Sequence, residues 1–563
     1  MIMPRKYSHT TLLWLAPLTF LVIFYFYPLG RMLHFSLTRT PENSAPFIEA
    51  VTSPALHGVI SFTFWQAGLS TLLTLLIGLP GAYLLARYKF RGKSLLRALT
   101  GVPFVMPTLV VATAFSALLG PRGLINLLFM RILALDAPPI TFLHTFTAIL
   151  CAHVFYNLTI VLRMVGDFWG HLDSHLVDAA RVLGANRSQA FLRITLPLLT
   201  PAISAAALLV FIFNFTSFGV ILVLGGPTFA TLEVEIFYQT ISLFNLPLAA
   251  VLSIIQLLIS LAMTLLYSRL ATQLSQPLNL RASQQIQKRI RGFETRLFAN
   301  LWISLLLAIT IMPLLALATQ SVVSFEGQGL RVFTLTFYRE LWLNRQGSLF
   351  YAAPSTAMGL SLAYATLTVL LALGLGFPAA WALSRDRTAP LNRLLDALLM
   401  LPLGTSSVTL GLGFIIALAQ PPLDLRASPL LIPLAHTLVA FPFVVRSLVP
   451  ALQSIQPRLR QAAATLGATP VQVIRHVDLP LIGRAALVAA TFAFTISIGE
   501  FGATSLLSRP EYPTLPVTIY RLLSRPGALN YGQALALSTI LMLTSIGGML
   551  AIEKLRVAEI GEF

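Results

Sequence analysis

The chain has 563 residues, of which 56% are hydrophobic and only 10% are charged. A soluble globular domain carries roughly 25% charged residues, and a soluble core could not bury so large an apolar fraction. Together with a mean hydropathy of +0.81, this composition excludes an ordinary cytosolic enzyme. It predicts an all-α integral membrane protein that crosses the bilayer several times.

The net charge and the cysteine content exclude further classes of protein and of site. A net charge of +18 would suit a nucleic-acid binder only if the basic residues formed one face of a soluble fold. Here they lie between apolar stretches, so we expect no nucleic-acid partner. The single cysteine, Cys151, excludes an intrachain disulfide and any CxxC metal or redox pair, and we expect it to be packed among apolar residues.

Twelve apolar stretches are long enough to cross a bilayer, whose hydrocarbon core needs about 20 helical residues. In the first half they are 11–28, 61–86, 99–119, 140–161, 200–224 and 246–266. In the second half they are 297–319, 358–383, 395–419, 430–450, 485–507 and 534–552. Basic residues precede the first stretch, but it is long and no small-residue cleavage site follows, so we interpret it as an uncleaved span.

Basic residues predict the orientation of these spans. The clearest cluster, between the second and third spans, contains Arg87, Lys89, Arg91, Lys93 and Arg97. Cytoplasmic loops carry an excess of Lys and Arg, and a cytoplasmic N-terminus places most basic residues on that side. We therefore predict that both termini and the polar segment 269–296 are cytoplasmic.

The chain contains an internal repeat. At a separation of 283 residues, Ala152-His153 aligns with Ala435-His436, and residues 178–199 align closely with 461–482. We therefore expect two homologous six-helix halves, 1–268 and 297–563, joined by a cytoplasmic linker at 269–296. Because six is an even number, both halves enter the membrane the same way round. This predicts a parallel pseudo-two-fold repeat around one central pathway.

The best-matched segment is the cytoplasmic loop after the fourth span of each half, near 172–199 and 455–482. The first copy reads Asp178-Ala179-Ala180, Gly184-Ala185 and Leu196-Pro197, and the second reads Gln461-Ala462-Ala463, Gly467-Ala468 and Leu479-Pro480. Each pattern predicts a short helix, a turn in which glycine adopts positive φ, and a second amphipathic stretch. A proline then marks the start of the next span.

This pattern resembles the EAA loop of the permease subunits in binding-protein-dependent ABC importers, which have MetI-like domains. The resemblance implies that each loop is a coupling helix that docks on an ATPase subunit. The docking elements would be Asp178, Ala179, Ala180, Gly184 and Pro197, and Gln461, Ala462, Ala463, Gly467 and Pro480. The glutamate of the family pattern is replaced by Asp178 and by Gln461. The alternative is a pair of ordinary amphipathic interfacial helices.

The resemblance also implies a location and partners. It implies a permease subunit, not itself an enzyme, in the bacterial cytoplasmic (inner) membrane, working with two copies of a cytoplasmic ABC ATPase and an extracytoplasmic solute-binding protein. Gly92-Lys93-Ser94 imitates the end of a Walker A motif, but Arg87 occupies the position of the required earlier glycine. We therefore expect no catalytic residues and no cofactor in this chain, with ATP and Mg²⁺ bound by the ATPase.

The fused, double-length chain resembles thiamine and ferric-iron permeases. The stretch from Val220 to Gln239 is similar to a region of bacterial thiamine permeases, and residues 499–504 resemble a segment shared by iron, thiamine, molybdate and sulfate permeases. The expected substrate is thiamine or thiamine phosphate, and the alternative is ferric iron or a molybdate- or sulfate-type anion. An ion-coupled secondary transporter is the alternative from a different class.

Three residues are candidates for the translocation pathway: Phe218, Glu500 and Phe501. A carboxylate at membrane depth is costly unless it faces water or a partner. Glu500 therefore either lines a pathway or accepts backbone N–H groups at a helix break near Gly499. The two phenylalanines are repeat partners that either line the pathway or pack in the core. His153 and His436 are also repeat partners, and we expect interhelical hydrogen bonds from them rather than a metal site.

Overall fold

The computed structural model describes residues 7–38, 53–173, 175–274, 287–326, 330–343, 353–385, 390–418, 424–426 and 428–560. Within these residues the chain is helical apart from turns and two small sheets, so the all-α class is confirmed. In one sheet, β1 (Tyr88–Lys89) pairs in parallel with β2 (Lys288–Arg289). In the other, β3 (Val323–Glu326) pairs with β4 (Leu330–Phe333). Of the predicted linker 269–296, residues 275–286 lie outside the described residues, β2 lies within the remainder, and the last residues begin the helix Phe293–Gln320.

The first half contains thirteen described helices. They are α1 (Tyr7–Leu21), α2 (Tyr27–Leu37), α3 (Pro54–Arg87), α4 (Lys93–Leu99), α5 (Val102–Val105), α6 (Thr108–Leu119), α7 (Leu124–Leu133), α8 (Phe146–His171), α9 (His175–Val182), α10 (Arg187–Ala190), α11 (Leu196–Phe215), α12 (Leu232–Ile241) and α13 (Leu246–Leu274). Three π-helical turns supplement them, at Val22–Phe26, Phe191–Thr195 and Ile221–Gly225.

The described helices of the second half follow the same order. They are α14 (Phe293–Gln320), α15 (Thr336–Glu340), α16 (Pro354–Arg385), α17 (Pro390–Met400), α18 (Ser407–Leu418), α19 (Leu431–Ser454), α20 (Pro457–Thr465), α21 (Pro470–Val473), α22 (Leu479–Gly499), α23 (Gly502–Leu507), α24 (Leu515–Leu523) and α25 (Ala528–Ile560). A 3₁₀ turn at Leu401–Gly404 and a π-helical turn at Ile474–Asp478 complete them.

Eleven helices in the described chain are long and apolar enough to cross a membrane. A twelfth crossing results if Leu391–Gly404 and Ser407–Leu418, which are bent by 97° relative to each other, form one span. Each of the twelve predicted stretches overlaps one of these segments. The ninth predicted stretch is therefore bent, either as a broken span or as a re-entrant segment, and hydropathy alone did not reveal the bend because apolar residues lie on both sides of it.

Two predicted spans end earlier than expected. The sequence predicts continuous spans over 200–224 and 485–507, but α11 ends at Phe215 and α22 ends at Gly499. These two breaks lie at repeat-equivalent positions. Irregular backbone at membrane depth is tolerated where polar groups satisfy it internally, and Glu500 does so in the second half by accepting two backbone N–H bonds. The predicted boundaries are therefore corrected to Phe215 and Gly499.

Each of the two repeated loops continues directly into the next membrane helix. Helical segments run without interruption over Arg187–Phe215 and Val471–Gly499. Pro197 and Pro480 lie at the second position of α11 and α22, and the π-helical turn immediately precedes each helix. A helix-interior proline lacks an N–H and crowds the carbonyl one turn earlier, and the wider π turn relieves this conflict without breaking the helix.

Packing divides the chain into two compact units that differ in composition from the two sequence halves. Unit 1 contains residues 1–52, 236–257 and 324–563, and unit 2 contains 53–235 and 258–323. In unit 1, α1 packs on α16 and α2 packs on α18. In unit 2, α14 packs on α6. Each half thus contributes its first helix to the unit built mainly from the other half. The ranges 1–268 and 297–563 describe the repeat in the sequence. As boundaries of structural domains, they stay a prediction.

Equivalent glycines bring the second and fourth spans of each half close together. A Cβ built on Gly78 would lie 2.7 Å from Val161 Cγ1, and one built on Gly376 would lie 2.6 Å from Val444 Cγ1. Neither position has room for a larger side chain. Small residues allow helix backbones to approach in a membrane, where dispersion replaces the hydrophobic effect as the source of packing energy. The repeat therefore extends to individual contacts.

Candidate functional site

The first of the two repeated loops, near 172–199, contains the predicted glycine turn. Gly184 has a φ of 93°, a conformation that suits glycine because it has no Cβ. The N–H of Ala185 donates to the carbonyl of Ala180 at 3.0 Å, and the N–H of Gly184 donates to that of Arg181 at 3.1 Å. This is a Schellman cap, which satisfies the last carbonyls of α9. The roles of Ala180 and Gly184 are thus geometric: together they end the helix sharply.

The second loop repeats this geometry residue by residue. Gly467 has a φ of 84°, and the N–H of Ala468 donates to the carbonyl of Ala463 at 3.0 Å. The next helix begins in the same way in both loops. Asn186 and Gln189 form a capping box, and the equivalent Thr469 and Gln472 exchange the same pair of hydrogen bonds. The two loops therefore share the same backbone turn and the same helix start, as their sequence similarity predicts.

One leucine in each of these turns is largely exposed to solvent. The sequence alone did not indicate either of them as a contact residue. Leu183 and Leu466 precede the two glycines and are each 87% exposed. An isolated exposed leucine is ordinary, but two at equivalent positions on equivalent turns form a matched pair of apolar contacts. The feature of the sequence that could have indicated these contacts is the leucine immediately before each glycine. Asp178 and Gln461 are also exposed, on the same short helices α9 and α20.

The second loop has an ion pair that the first loop lacks. Arg460 Nε on α20 lies 2.7 Å from Asp478 Oδ1, and the Asp478 side chain is completely buried. The guanidinium of Arg460 also lies over the ring of Trp381, 5.5 Å from its centre. The equivalent residues in the first loop are Val177 and Thr195. Helix α20 of the second loop is therefore held against the neighbouring membrane helices by a charged contact that α9 of the first loop does not make.

Residues resembling part of an ATP-binding motif form a local turn. Gly92 has a φ of 82°, and Lys93 Nζ donates to the carbonyl of Tyr88 at 3.0 Å. Burial, followed by the nearby charge of Arg97, lowers the pKa of Lys93 to about 8. The hydrogen bond from the Lys93 amine closes this turn onto the end of the preceding strand.

Two buried histidines tie the fourth span of each half to its neighbours. His153 Nδ1 lies 3.0 Å from Ser70 Oγ, and its Nε2 lies 2.9 Å from Ser217 Oγ. His436 Nδ1 lies 2.7 Å from Ser497 Oγ. The expected interhelical hydrogen bonds are therefore present. Among the described residues, no cluster of three or more His, Cys, Asp or Glu side chains could hold a metal ion.

Glu500 lies at the break between α22 and α23. Its carboxylate accepts hydrogen bonds from the N–H of Ala503 at 2.9 Å and from the N–H and hydroxyl of Thr504 at 3.0 and 2.6 Å. His436 Nε2 is 3.4 Å from the same carboxylate. Of the two roles considered above, the geometry supplies the capping one. Glu500 satisfies backbone N–H groups at the N-terminus of α23. The residue at the equivalent position of the first half is Ser217, whose hydroxyl lies 2.9 Å from His153 Nε2.

The pathway candidates are buried in this conformation. Phe218, Glu500 and Phe501 expose only 6%, 8% and 3% of their surfaces. Phe501 packs against Tyr520, with ring centroids 5.5 Å apart. None of the three faces an open channel here, so a part in conduction would require another conformation of the chain.

Comparison with known proteins identifies the family. A family model described as "Binding-protein-dependent transport system inner membrane component" matches residues 78–276 and 372–554. The chain is 27% identical to the thiamine transport system permease protein ThiP of Brucella abortus (strain 2308), over 89% of this chain and 88% of the relative. It is 26% identical to ThiP of Escherichia coli (strain K12), over 83% of each. A third relative, "Probable ABC transporter permease protein y4fN" of Sinorhizobium fredii (strain NBRC 101917 / NGR234), is 25% identical over 96% of this chain and 94% of its own length.

The two matched segments fall one in each half, which confirms the predicted repeat and the expected permease architecture. The match also decides against an ion-coupled secondary transporter, because this family works with a solute-binding protein and an ATPase. The chain is a multi-pass inner-membrane protein and belongs to the family of binding-protein-dependent transport system inner membrane components, the permease subunits of ABC importers.

Proposed function

We propose that this chain forms the pathway of an importer for thiamine or thiamine phosphate and couples that pathway to two copies of a separate ABC ATPase. The observation that carries the coupling role is the pair of equivalent turns, each with a Schellman cap, a glycine at positive φ and a leucine that is 87% exposed. Two equivalent turns suit two copies of one partner. ATP and Mg²⁺ bind the partner, and this chain hydrolyses nothing.

The proposed docking residues divide into two groups by their geometry. Asp178 and Gln461 offer polar contacts and Leu183 and Leu466 offer apolar ones, all on the exposed surface of the loops. The alanines, glycines and prolines keep each turn in shape: Ala179, Ala180, Gly184 and Pro197, and Ala462, Ala463, Gly467 and Pro480. Because Gln461 is uncharged, the polar contact in the second half is a hydrogen bond rather than an ion pair.

The proposed orientation follows from the charges. Lys and Arg favour the cytoplasmic side of the membrane, and the cluster at 87–97 lies on the same side as both coupling loops in the twelve-span order. Both termini are then cytoplasmic, and the solute-binding protein delivers cargo to the opposite face. Thiamine is the proposed cargo because curated relatives that align over most of this chain are named thiamine permeases.

Reconstitution tests the proposal. Liposomes containing this chain, its ATPase and its solute-binding protein are expected to accumulate thiamine or thiamine monophosphate when ATP is supplied inside. Liposomes with a non-hydrolysable ATP analogue, or without the binding protein, serve as controls. ATP-dependent accumulation of ferric iron without uptake of either thiamine compound would contradict the proposed cargo, while uptake of thiamine without ATP would contradict the coupling mechanism.

A further inference from the structure

Unit 1 contains a cavity of about 530 Å³, a size within the range of small-molecule sites. Four of its lining residues are basic: Arg31, His34, Arg426 and Arg509. They come from three separate parts of the sequence, since Arg31 and His34 both lie on α2, and they converge on one space. Pockets that recognise small molecules combine apolar walls with a few convergent polar groups, and this cavity has that composition.

The charge of the lining has one sign. Among the described residues that line the cavity there is no Asp or Glu side chain. The nearest acids in sequence are Asp424 and Glu511, and the Asp424 carboxylate accepts the backbone N–H of Arg426 at 3.4 Å. The guanidinium groups of Arg426 and Arg509 therefore give their part of the wall a positive potential that attracts anions.

Apolar side chains form the rest of the wall. Phe414 and Leu506 lie on α18 and α23, and Phe244 projects from the loop after α12. Phe244 is 79% exposed and has a φ of 54°, a left-handed conformation that is costly for a bulky residue and that clusters at ligand sites. An apolar wall beside guanidinium groups suits an organic molecule with an anionic end better than a bare inorganic ion.

The position of the cavity follows from the helices that reach it. Leu431 lines the cavity and begins α19, whose 24 residues end at Ser454, about 36 Å further on. The coupling helix α20 begins three residues after that end. In the opposite direction, α22 leaves the coupling loop and ends just before the segment that contains Leu506 and Arg509. The cavity therefore lies at the end of these helices opposite to the second coupling loop.

We propose that this cavity receives the anionic group of the cargo, a phosphate ester or phosphonate of a small organic molecule, on the side to which the binding protein delivers it. Guanidinium groups bind phosphate oxygens in bidentate pairs, and the apolar wall accepts the organic part. The inference rests on the proposed function and deepens it, because the phosphate group of thiamine phosphate meets this requirement.

Binding to the full chain, assembled with its ATPase in phosphatidylcholine nanodiscs, tests the site directly. Equilibrium dialysis with labelled thiamine monophosphate should show saturable binding that inorganic phosphate competes away. Arg426→Gln and Arg509→Gln should each weaken this binding about tenfold, since a hydrogen bond to a charged group is lost. Arg131→Gln is the matched control, because Arg131 is exposed but does not line the cavity. Its affinity should match that of the unmodified chain.

Several outcomes would overturn the inference. Absence of saturable binding, or binding that both cavity variants retain unchanged, would show that no anion site exists here. Binding lost when phosphatidylglycerol replaces phosphatidylcholine would identify a lipid headgroup as the occupant instead of cargo. The proposed function has a separate readout, which is uptake by the liposomes. If they accumulate neither thiamine compound, the thiamine assignment fails. The anion site stands in that case if the nanodiscs still bind methylphosphonate in a way that depends on the two arginines.

Discussion

At the scale of single residues, Gly184 and Gly467 determine the shape of the two turns that we propose dock on the ATPase. Both have positive φ, and a Cβ added at either would meet nothing within 4 Å. A substitution there changes the backbone preference and leaves neighbouring side chains undisturbed. The two positions therefore isolate the contribution of turn shape from that of packing.

Gly184→Val and Gly467→Val are each expected to reduce ATP-driven uptake about tenfold, because a β-branched residue disfavours left-handed backbone by roughly 1–2 kcal/mol. Binding of cargo by the solute-binding protein should not change. Gly483→Val is the matched control, since Gly483 has open space around it but no positive φ. Uptake and ATP hydrolysis in liposomes measure the effect. Normal uptake by both turn variants would show that these loops do not couple transport.

The sequence predicted this part of the site well, because the features involved are local. A glycine after a short amphipathic helix indicates positive φ, and both glycines have it. By contrast, no local pattern indicates that Arg460 meets Asp478, or that Arg31, Arg426 and Arg509 converge on one cavity. Those contacts depend on tertiary packing between distant segments. The capping role of Glu500 is intermediate: its residue type and position suggested two roles, and only the geometry distinguishes them.

At the scale of helices, the brace between Arg460 and Asp478 distinguishes α20 from α9, the two helices that we propose couple transport to the ATPase. Breaking a buried ion pair by removing one partner costs about 3–5 kcal/mol, because the other charge is left without compensation. Arg460→Val, which introduces the residue of the first loop, is therefore expected to lower thermal stability and to weaken the stimulation of ATP hydrolysis by loaded binding protein.

The double variant Arg460→Val, Asp478→Thr is the informative control for the brace. It removes both charges and copies the pair Val177 and Thr195 of the first loop, so most of the lost stability should return. Any remaining loss of ATPase stimulation then measures the mechanical contribution of the brace. Additive effects of the two substitutions in thermal unfolding would show that the residues do not interact.

Close helix packing gives a second prediction at this scale. Gly376→Ala is expected to destabilise the chain by about 1–3 kcal/mol through overpacking against Val444, since the added Cβ would lie 2.6 Å from Cγ1 of that valine. Gly374→Ala, two residues away in α16 with nothing within 4 Å, should be neutral or slightly stabilising. Thermal unfolding in nanodiscs compares the two variants. Equal stabilities would mean that α16 and α19 pack less closely than described.

At the scale of the whole molecule, repeat and packing follow different divisions of the chain. Sequence similarity separates 1–268 from 297–563, whereas compact packing places α1 and α2 with the second half and α14 with the first. Hydropathy detects each span independently and contains no information about its neighbours. The number of spans and their repeat were therefore predictable, while the exchange of the first helices was not. Neither unit consists of one continuous stretch of chain, so isolated halves are poor material for functional tests.

The orientation of the twelve spans determines which face meets the ATPase, and it is directly measurable. The chain has one cysteine, the half-buried Cys151, so a Cys151→Ser background permits single-cysteine labelling. Ser94 and Asp136 are both exposed and lie on opposite sides of the third predicted span. With a cytoplasmic N-terminus, Asp136→Cys should react with a membrane-impermeant maleimide in spheroplasts, whereas Ser94→Cys should react only after permeabilisation. Because cytoplasmic loops concentrate Lys and Arg, and Ser94 lies within the cluster at 87–97, we expect this pattern. The reverse pattern would place both coupling loops outside the cell, where no ATPase could reach them, and the proposed coupling would have to be abandoned.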